Sequence, residues 1–172
     1  MAISSFRPVR LSGGAPRGLF RSARHPHWFP SLTREGAPAV MGTAGNDCGH
    51  LVLRGGSQGP NYTAPHIRTA TGLLVKNQLH PYLMVDCSHG NSVKDPEKQT
   101  EVAADLAAQI AAGETAIAAV MLESNLLGGA QDFQASPLVY GRSITDGCLA
   151  WERTLPVLAQ LAAAVQARRK RR

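Results

Sequence analysis

Four residues with side chains able to bind a metal ion or a phosphate group follow short apolar segments or open a helical pattern. They are Arg54, His89, Glu123 and Asp146. A neutral imidazole and two carboxylates are suitable ligands for a divalent ion such as Mn, Fe, Co or Zn. Arg54 precedes two glycines, which let the backbone come close to a ligand, so its guanidinium is a candidate phosphate ligand. Together these residues indicate a metal-assisted reaction on a phosphorylated substrate.

Each of these residues also has a purely structural explanation. His89 could hydrogen-bond to carbonyl groups of its own loop, and Glu123 could cap a turn. Asp146 could be a helix N-cap, which is a common use of Asp at a helix start. Arg54 could pair with a structural carboxylate. Residue type and spacing leave both explanations open at each position.

Short apolar segments alternate with helical patterns, which is typical of βα units on a parallel sheet. The predicted strands cover residues 50–54, 82–85 and 116–122. Functional groups collect at the carboxyl ends of parallel strands. We therefore expect the four candidate residues, together with Asp86 at the end of the second segment, to face one rim.

Two helices are predicted over residues 63–78 and 96–112, the second with Asp95 as its N-cap. A last helix is predicted from residue 145 or 146 to the basic end of the chain, with a kink or a fresh start at Pro156. Ahead of the βα units, residues 28–43 are expected to form a β-hairpin.

Charge and composition divide the chain of 172 residues into three parts. Residues 1–24 are Arg-rich and free of acids, and we expect them to be irregular and disordered, whereas residues 170–172 form a basic tail. The net charge is +6, but ten of the 18 basic residues lie near the two ends, which leaves eight against 12 acids. This mildly acidic body argues against a nucleic-acid partner.

The apolar and cysteine content predict a soluble cytoplasmic protein. The chain has no apolar run of about 18 residues that could span a bilayer. Its three cysteines lie far apart, which favours a reducing compartment over a disulfide scaffold. Strand alternation puts Cys87 on the opposite side from His89, so Cys87 is expected in the core. Cys148 is expected to lie on the last helix and to be packed.

Four ordered motifs resemble those of class I 3-deoxy-D-arabino-heptulosonate 7-phosphate (DAHP) synthases, over residues 25–169. They are Leu53-Arg54-Gly55-Gly56, Asp86-Cys87-Ser88-His89-Gly90-Asn91-Ser92, Val120-Met121-Leu122-Glu123-Ser124 and Tyr140-Gly141-Arg142-Ser143-Ile144-Thr145-Asp146. The resemblance implies an α/β fold, part of a (β/α)8 TIM barrel, with about the last three βα units and the β-hairpin.

The resemblance also implies the chemistry. His89, Glu123 and Asp146 would be metal ligands, and Arg54 would bind the phosphate of phosphoenolpyruvate. The enzyme would be a transferase that condenses phosphoenolpyruvate with erythrose 4-phosphate to DAHP and phosphate. This is the first step of the shikimate pathway of aromatic amino-acid biosynthesis. Members of the family are typically homo-oligomers.

Several family features have no counterpart in this sequence. They are the first barrel strand with its cysteine metal ligand, the Lys-Pro-Arg-Thr loop that contacts both substrates, and a segment whose lysine contacts phosphoenolpyruvate. We therefore expect a truncated form that is weakly active or inactive and that tends to self-associate. The alternative is a non-catalytic remnant, or an interaction partner of an intact synthase.

Overall fold

The computed structural model describes residues 22–171. The chain divides into two compact units, residues 1–51 and 52–172. Most of the segment predicted to be disordered lies outside the described residues, and its last part, residues 22–24, is helical.

The first unit contains the predicted β-hairpin. Strands β1 (His27–Leu32) and β2 (Pro38–Thr43) pair antiparallel over their whole length. The turn between them requires a left-handed residue, and Gly36 provides it at φ +82°, where its N–H donates to the carbonyl of Thr33 at 3.0 Å. The hairpin prediction is therefore confirmed.

A three-stranded sheet in the order β3-β4-β5 organises the second unit. Its strands are Leu51–Leu53, Leu83–Asp86 and Ile117–Met121, and β4 and β5 run parallel. Each strand lies within its predicted segment or is shifted from it by one residue. A second, smaller parallel pair joins β6 (Ser124–Asn125) to β7 (Leu149–Ala150). The mixture of helices and parallel strands agrees with the predicted α/β class.

Helix α1 (Ala64–Lys76) agrees with its sequence pattern. Its buried residues are Ile67, Ala70 and Leu74, at spacings of three and four that bring them onto one face. Thr63 precedes the helix in an extended conformation, and a proline occupies its first turn, where the missing N–H is not needed.

Helix α2 (Gln99–Ala111) begins three residues later than predicted. The expected cap, Asp95, accepts a hydrogen bond from the N–H of Glu97 at 3.0 Å and so stabilises a turn instead of the helix start. Gln99 is the first helical residue and is fully buried. Gly113 follows the helix with φ +115°, as expected for a residue just past a helix end.

Helix α3 (Trp151–Lys170) also begins later than predicted, because residues 149–150 extend as strand β7. Asp146 therefore lies in a loop and not at a helix start, and the expectation that Cys148 lies on the last helix is wrong. Pro156 falls inside α3 without interrupting it. The helix takes up residue 170 of the predicted basic tail, and residue 172 lies outside the described part. No helix within residues 22–171 is both long and apolar enough to cross a membrane.

Candidate metal centre

His89 follows the end of strand β4 in a left-handed conformation, with φ +50°, which is uncommon for residues other than glycine. Its ring atom Nδ1 lies 2.7 Å from Oδ2 of Asp86. The other ring nitrogen, Nε2, lies 3.5 Å from Oε1 of Glu123. A carboxylate beside Nδ1 favours the tautomer with its proton there, so Nε2 keeps a lone pair for a ligand.

Asp86 is the last residue of β4, and its side chain is only 3% exposed. Burial raises the pKa of this carboxyl because it disfavours the charged form, while His89, the N–H of Ser88 and the guanidinium of Arg54 act in the opposite direction. The Ser88 N–H donates to Oδ1 at 2.7 Å. Both carboxyl oxygens of Asp86 therefore have a partner.

Glu123 follows strand β5 and is held through both its side chain and its backbone. The hydroxyl of Ser88 donates to Oε2 at 2.6 Å, which leaves Oε1 facing His89. The side chain of Gln99 pairs with the backbone N–H and carbonyl of Glu123. Neither Ser88 nor Gln99 was identified from the sequence as part of the site.

Asp146 lies in the loop that precedes β7 and is exposed. The end of this loop is fixed by a reciprocal pair of backbone hydrogen bonds between Gly129 and Cys148, at 2.8 and 3.1 Å. The thiol of Cys148 donates to the Asp146 carbonyl at 3.6 Å. The Asp146 carboxylate thus comes from a loop that long-range pairing holds in place.

The structure brings three of the four predicted site residues together. One ligand atom from each of His89, Glu123 and Asp146 lies within 4.8 Å of the corresponding atoms of the other two. The donor set of one imidazole nitrogen and two carboxylate oxygens fits a divalent first-row ion. Asp86 accepts a hydrogen bond from His89, and Ser88 donates one to Glu123, and such contacts orient the ligands of metal sites. The cluster is therefore suited to hold such an ion.

Arg54, the fourth predicted site residue, directly follows β3 and does not belong to this cluster. It is half-buried, and its positive charge opposes in part the rise in the pKa of Asp86 that burial causes. The carbonyl of Arg54 accepts a hydrogen bond from the N–H of Gly90 at 3.0 Å. Gly55 has φ +71°, and a Cβ added there would lie 2.5 Å from the carbonyl carbon of Gly90. The loops after β3 and β4 therefore meet backbone to backbone.

Two asparagines join the same loops. Asn91 donates from Nδ2 to the carbonyls of Leu53 at 3.1 Å and Asp86 at 2.7 Å. Its Oδ1 accepts from the N–H of Asn61 at 2.8 Å, and the Oδ1 of Asn61 accepts from the N–H of Gly55 at 2.8 Å. Asn91 belongs to one of the four motifs, which was the available signal for its importance, whereas Asn61 lies outside them.

The observed contacts of His89, Glu123 and Asp146 differ from the purely structural roles that the sequence left open. Asp146 is not a helix N-cap, because α3 begins at Trp151. The Nδ1 atom of His89 pairs with a carboxylate and not with a loop carbonyl. The carboxylate of Glu123 pairs with the Ser88 hydroxyl and faces His89.

Comparison with known proteins gives a consistent family. The model of the DAHP synthetase I family matches residues 19–159. The Phe-sensitive phospho-2-dehydro-3-deoxyheptonate aldolase of Escherichia coli is 48% identical over 149 residues, which cover 86% of this chain and 42% of that protein. The tyrosine-inhibited enzyme of the same name from Schizosaccharomyces pombe is 44% identical over 151 residues, 85% of this chain and 41% of its own length.

A similar solved structure is that of a protein with the same name as these relatives. The phospho-2-dehydro-3-deoxyheptonate aldolase of Francisella tularensis matches with a TM-score of 0.84 and 45% identity, over 88% of this chain and 44% of that chain. This chain spans about two-fifths of the length of the curated relatives that it matches. The resemblance seen in the four motifs is confirmed, and the chain belongs to the DAHP synthetase I family.

Proposed function

We propose that the chain is the C-terminal part of a DAHP synthase and that its cluster of His89, Glu123 and Asp146 is the metal site of that enzyme. The observation that carries the proposal is the convergence of these three ligand atoms in a chain of this family. The 2.7 Å contact at Nδ1 of His89, which favours a lone pair on Nε2, supports the same assignment.

In the proposed reaction, C3 of phosphoenolpyruvate attacks the aldehyde carbon of erythrose 4-phosphate, water adds at C2, and phosphate leaves from C2 to give DAHP. A divalent ion, when bound, would polarise the aldehyde oxygen and stabilise the charge that develops on it. His89 Nε2, Glu123 Oε1 and the Asp146 carboxylate would hold that ion. Arg54 would bind the phosphate of phosphoenolpyruvate through its planar set of donors.

The architecture that we propose for the second unit is part of a (β/α)8 barrel. Strands β3, β4 and β5 and the β6–β7 pair would supply its last strands, and the first strands would belong to the further length that the relatives possess. In that arrangement the candidate residues would lie at the carboxyl ends of barrel strands, where active sites of such barrels form. The described cysteines are free thiols, which supports a cytoplasmic location.

We expect the 172-residue chain alone to have little or no synthase activity. Three open strands cannot close a barrel, and residues 1–172 lack a counterpart of the further length that the relatives possess, which the proposed site would need. Purified chain should therefore produce no DAHP above background from the two substrates. Turnover at a rate typical of enzymes, of roughly 1 per second or more, would refute the view that these residues alone do not form a working site.

The metal site is tested by titrating the purified chain with Mn²⁺ in a calorimeter. We expect weak but saturable binding of one ion, because three ligands with an open fourth position bind less tightly than a complete set. The His89→Ala variant should lose this binding, while His80→Ala, which removes an exposed histidine outside the cluster, should retain it. Equal binding by the His89→Ala variant would refute the site.

A role as an interaction partner of an intact synthase is the second candidate, and exposed apolar residues favour it. Trp151, Leu155 and Leu158 follow one side of α3 and are 48%, 49% and 45% exposed. Mixing the chain with an intact family member and following the complex by size-exclusion chromatography separates the two candidates. Absence of a complex at micromolar concentrations would rule out this second role.

A further inference from the structure

Gln99 is a fully buried polar residue whose side-chain amide makes two hydrogen bonds, both to the backbone of Glu123. Its Nε2 donates to the carbonyl of Glu123 at 3.0 Å, and its Oε1 accepts from the N–H of Glu123 at 2.8 Å. The relative exposure of Gln99 is 0%. The amide thus pairs with the Glu123 peptide groups as a neighbouring strand would.

Two hydrogen bonds to one residue constrain its backbone more than either bond alone. They restrict rotation on both sides of the Glu123 Cα atom and so limit the direction of its Cα–Cβ bond. The Glu123 carbonyl also accepts from the N–H of Leu149 at 2.9 Å, which ties the same residue to strand β7. The direction of the Glu123 Cα–Cβ bond is therefore fixed, although Glu123 lies beyond the end of β5.

Ser88 completes the restraint at the other end of the side chain. Its hydroxyl holds Oε2 at 2.6 Å, and Oε1 is left 3.5 Å from Nε2 of His89. Gln99 and Ser88 together fix both ends of the Glu123 side chain, and the atom that remains available points at the histidine.

Gln99 differs from the other buried residues of its helix because its side chain is polar. The other buried residues of α2 are apolar, namely Val102, Ala103, Leu106, Ala107 and Ile110. A buried amide without partners would be costly, and an apolar side chain there would leave the Glu123 N–H without this acceptor. The need for a polar group at position 99 therefore comes from Glu123.

We propose that Gln99 is a positioning residue that presents Glu123 to the metal, an inference that rests on the proposed metal site. It acts only through Glu123, and it binds neither metal nor substrate. Loss of its amide should let the Glu123 backbone rotate and should weaken and distort metal coordination while the fold persists.

The test compares Gln99→Met with Gln109→Met on the same helix. Gln109 also donates to a backbone carbonyl, that of Tyr62 at 3.0 Å, and its other hydrogen bond is to the carboxylate of Asp105. Gln99→Met should lower Mn²⁺ affinity by about 10-fold to 100-fold, the range for partners that orient metal ligands. It should also shift the visible spectrum of bound Co²⁺, which reports ligand geometry, whereas Gln109→Met should change neither. A folded Gln99→Met variant with unchanged affinity and spectrum overturns the proposal.

A metal-free measurement on the unchanged chain guards against a variant that does not fold. The Glu123 N–H donates to Gln99, so its hydrogen exchange should be slowed well below that of exposed loop amides. Exchange as fast as in an exposed loop would overturn the proposal without any substitution. Failure of the wild-type chain to bind Mn²⁺ overturns the metal site and this inference together, whereas an unchanged Gln99→Met variant overturns only the latter.

Discussion

Asp86 and His89 are joined by a contact of 2.7 Å between Oδ2 and Nδ1, and only two residues lie between them in the sequence. The left-handed backbone at His89 turns the ring back towards the end of its own strand. The pair therefore forms within one short loop, and it leaves Nε2 directed at Glu123.

Replacing this carboxylate with an amide should weaken metal binding. In Asp86→Asn, Oδ1 can still accept from the Ser88 N–H, but an NH₂ group would face Nδ1 and favour the tautomer with the proton on Nε2. We expect Mn²⁺ affinity to fall by about 10-fold to 100-fold in calorimetry. Asp105→Asn, on the exposed side of α2, is the matched control and should bind as the unchanged chain does. Equal affinities for the two variants would contradict this prediction.

The contact between Gly55 and Gly90 should make the first of these glycines hard to replace. A Cβ at residue 55 would lie 2.5 Å from a backbone atom, and its φ of +71° is unfavourable for alanine. We expect Gly55→Ala to lower the free energy of unfolding by more than about 2 kcal/mol in urea titrations.

A glycine in open space provides the control for that experiment. Gly72 lies in α1, and an added Cβ would meet nothing within 4 Å. Gly72→Ala should raise the free energy of unfolding by about 0.5–1 kcal/mol, because alanine favours a helix over glycine. Similar effects of the two substitutions would show that the close approach of the loops is not real.

Cys87 and Cys48 should react differently with a thiol reagent. Burial raises the pKa of Cys87 to about 12, and the negative charge of Asp86 adds to the effect. Because the thiolate is the reactive form, Cys87 should resist iodoacetamide at pH 8 while the exposed Cys48 is modified. Mass spectrometry of the labelled peptides measures this, and labelling in denaturant shows that all three can react. Rapid modification of Cys87 in the folded chain would refute its burial.

The raised pKa of Cys87 also predicts that the folded chain loses stability at alkaline pH. The folded chain holds the Cys87 proton more tightly than the unfolded chain, whose thiol has the ordinary pKa of 9.0. This contribution is complete below pH 9 and is lost as the pH rises towards 12. Cys87→Ala should therefore show a weaker decline in its urea midpoint over that range. Identical pH profiles would contradict the assignment.

The isolated chain should self-associate through exposed apolar side chains. Leu155 and Leu158 lie one turn apart on α3, and among residues 22–171 strands β3 and β5 are the edge strands of the sheet. We expect the sedimentation coefficient to rise with concentration and the double variant Leu155→Gln/Leu158→Gln to reduce that rise. Val75→Gln removes an isolated exposed residue and should change little. A monomer at all concentrations would refute the prediction.

Local sequence patterns were sufficient for the elements whose signals are local. The hairpin, the three strands of the sheet and α1 lie close to their predicted positions, because strand and helix periodicity is read over a few residues. The predicted starts of α2 and α3 are too early, because the residues just before each helix adopt other structures. Asp95 stabilises a turn, and residues 149–150 are held extended by pairing with β6, which is distant in the sequence.

The candidate ligands were predictable, but the groups that orient them were not. His89, Glu123 and Asp146 stand out by residue type in the motifs. Gln99 reaches Glu123 across 24 residues, and Ser88 reaches it across 35, so neither contact has a local signature. Such contacts depend on how α2 packs on the sheet.

The loops after β3 and β4 are in direct backbone contact, so neither can move towards the other without displacing it. The Gly90 N–H is bonded to the Arg54 carbonyl, and the two glycines touch without side chains between them. A ligand that restrains Arg54 would therefore also restrain His89, and the reverse. Occupation of one by phosphate and of the other by a cation would then be thermodynamically linked, each ligand raising the affinity for the other by the same factor.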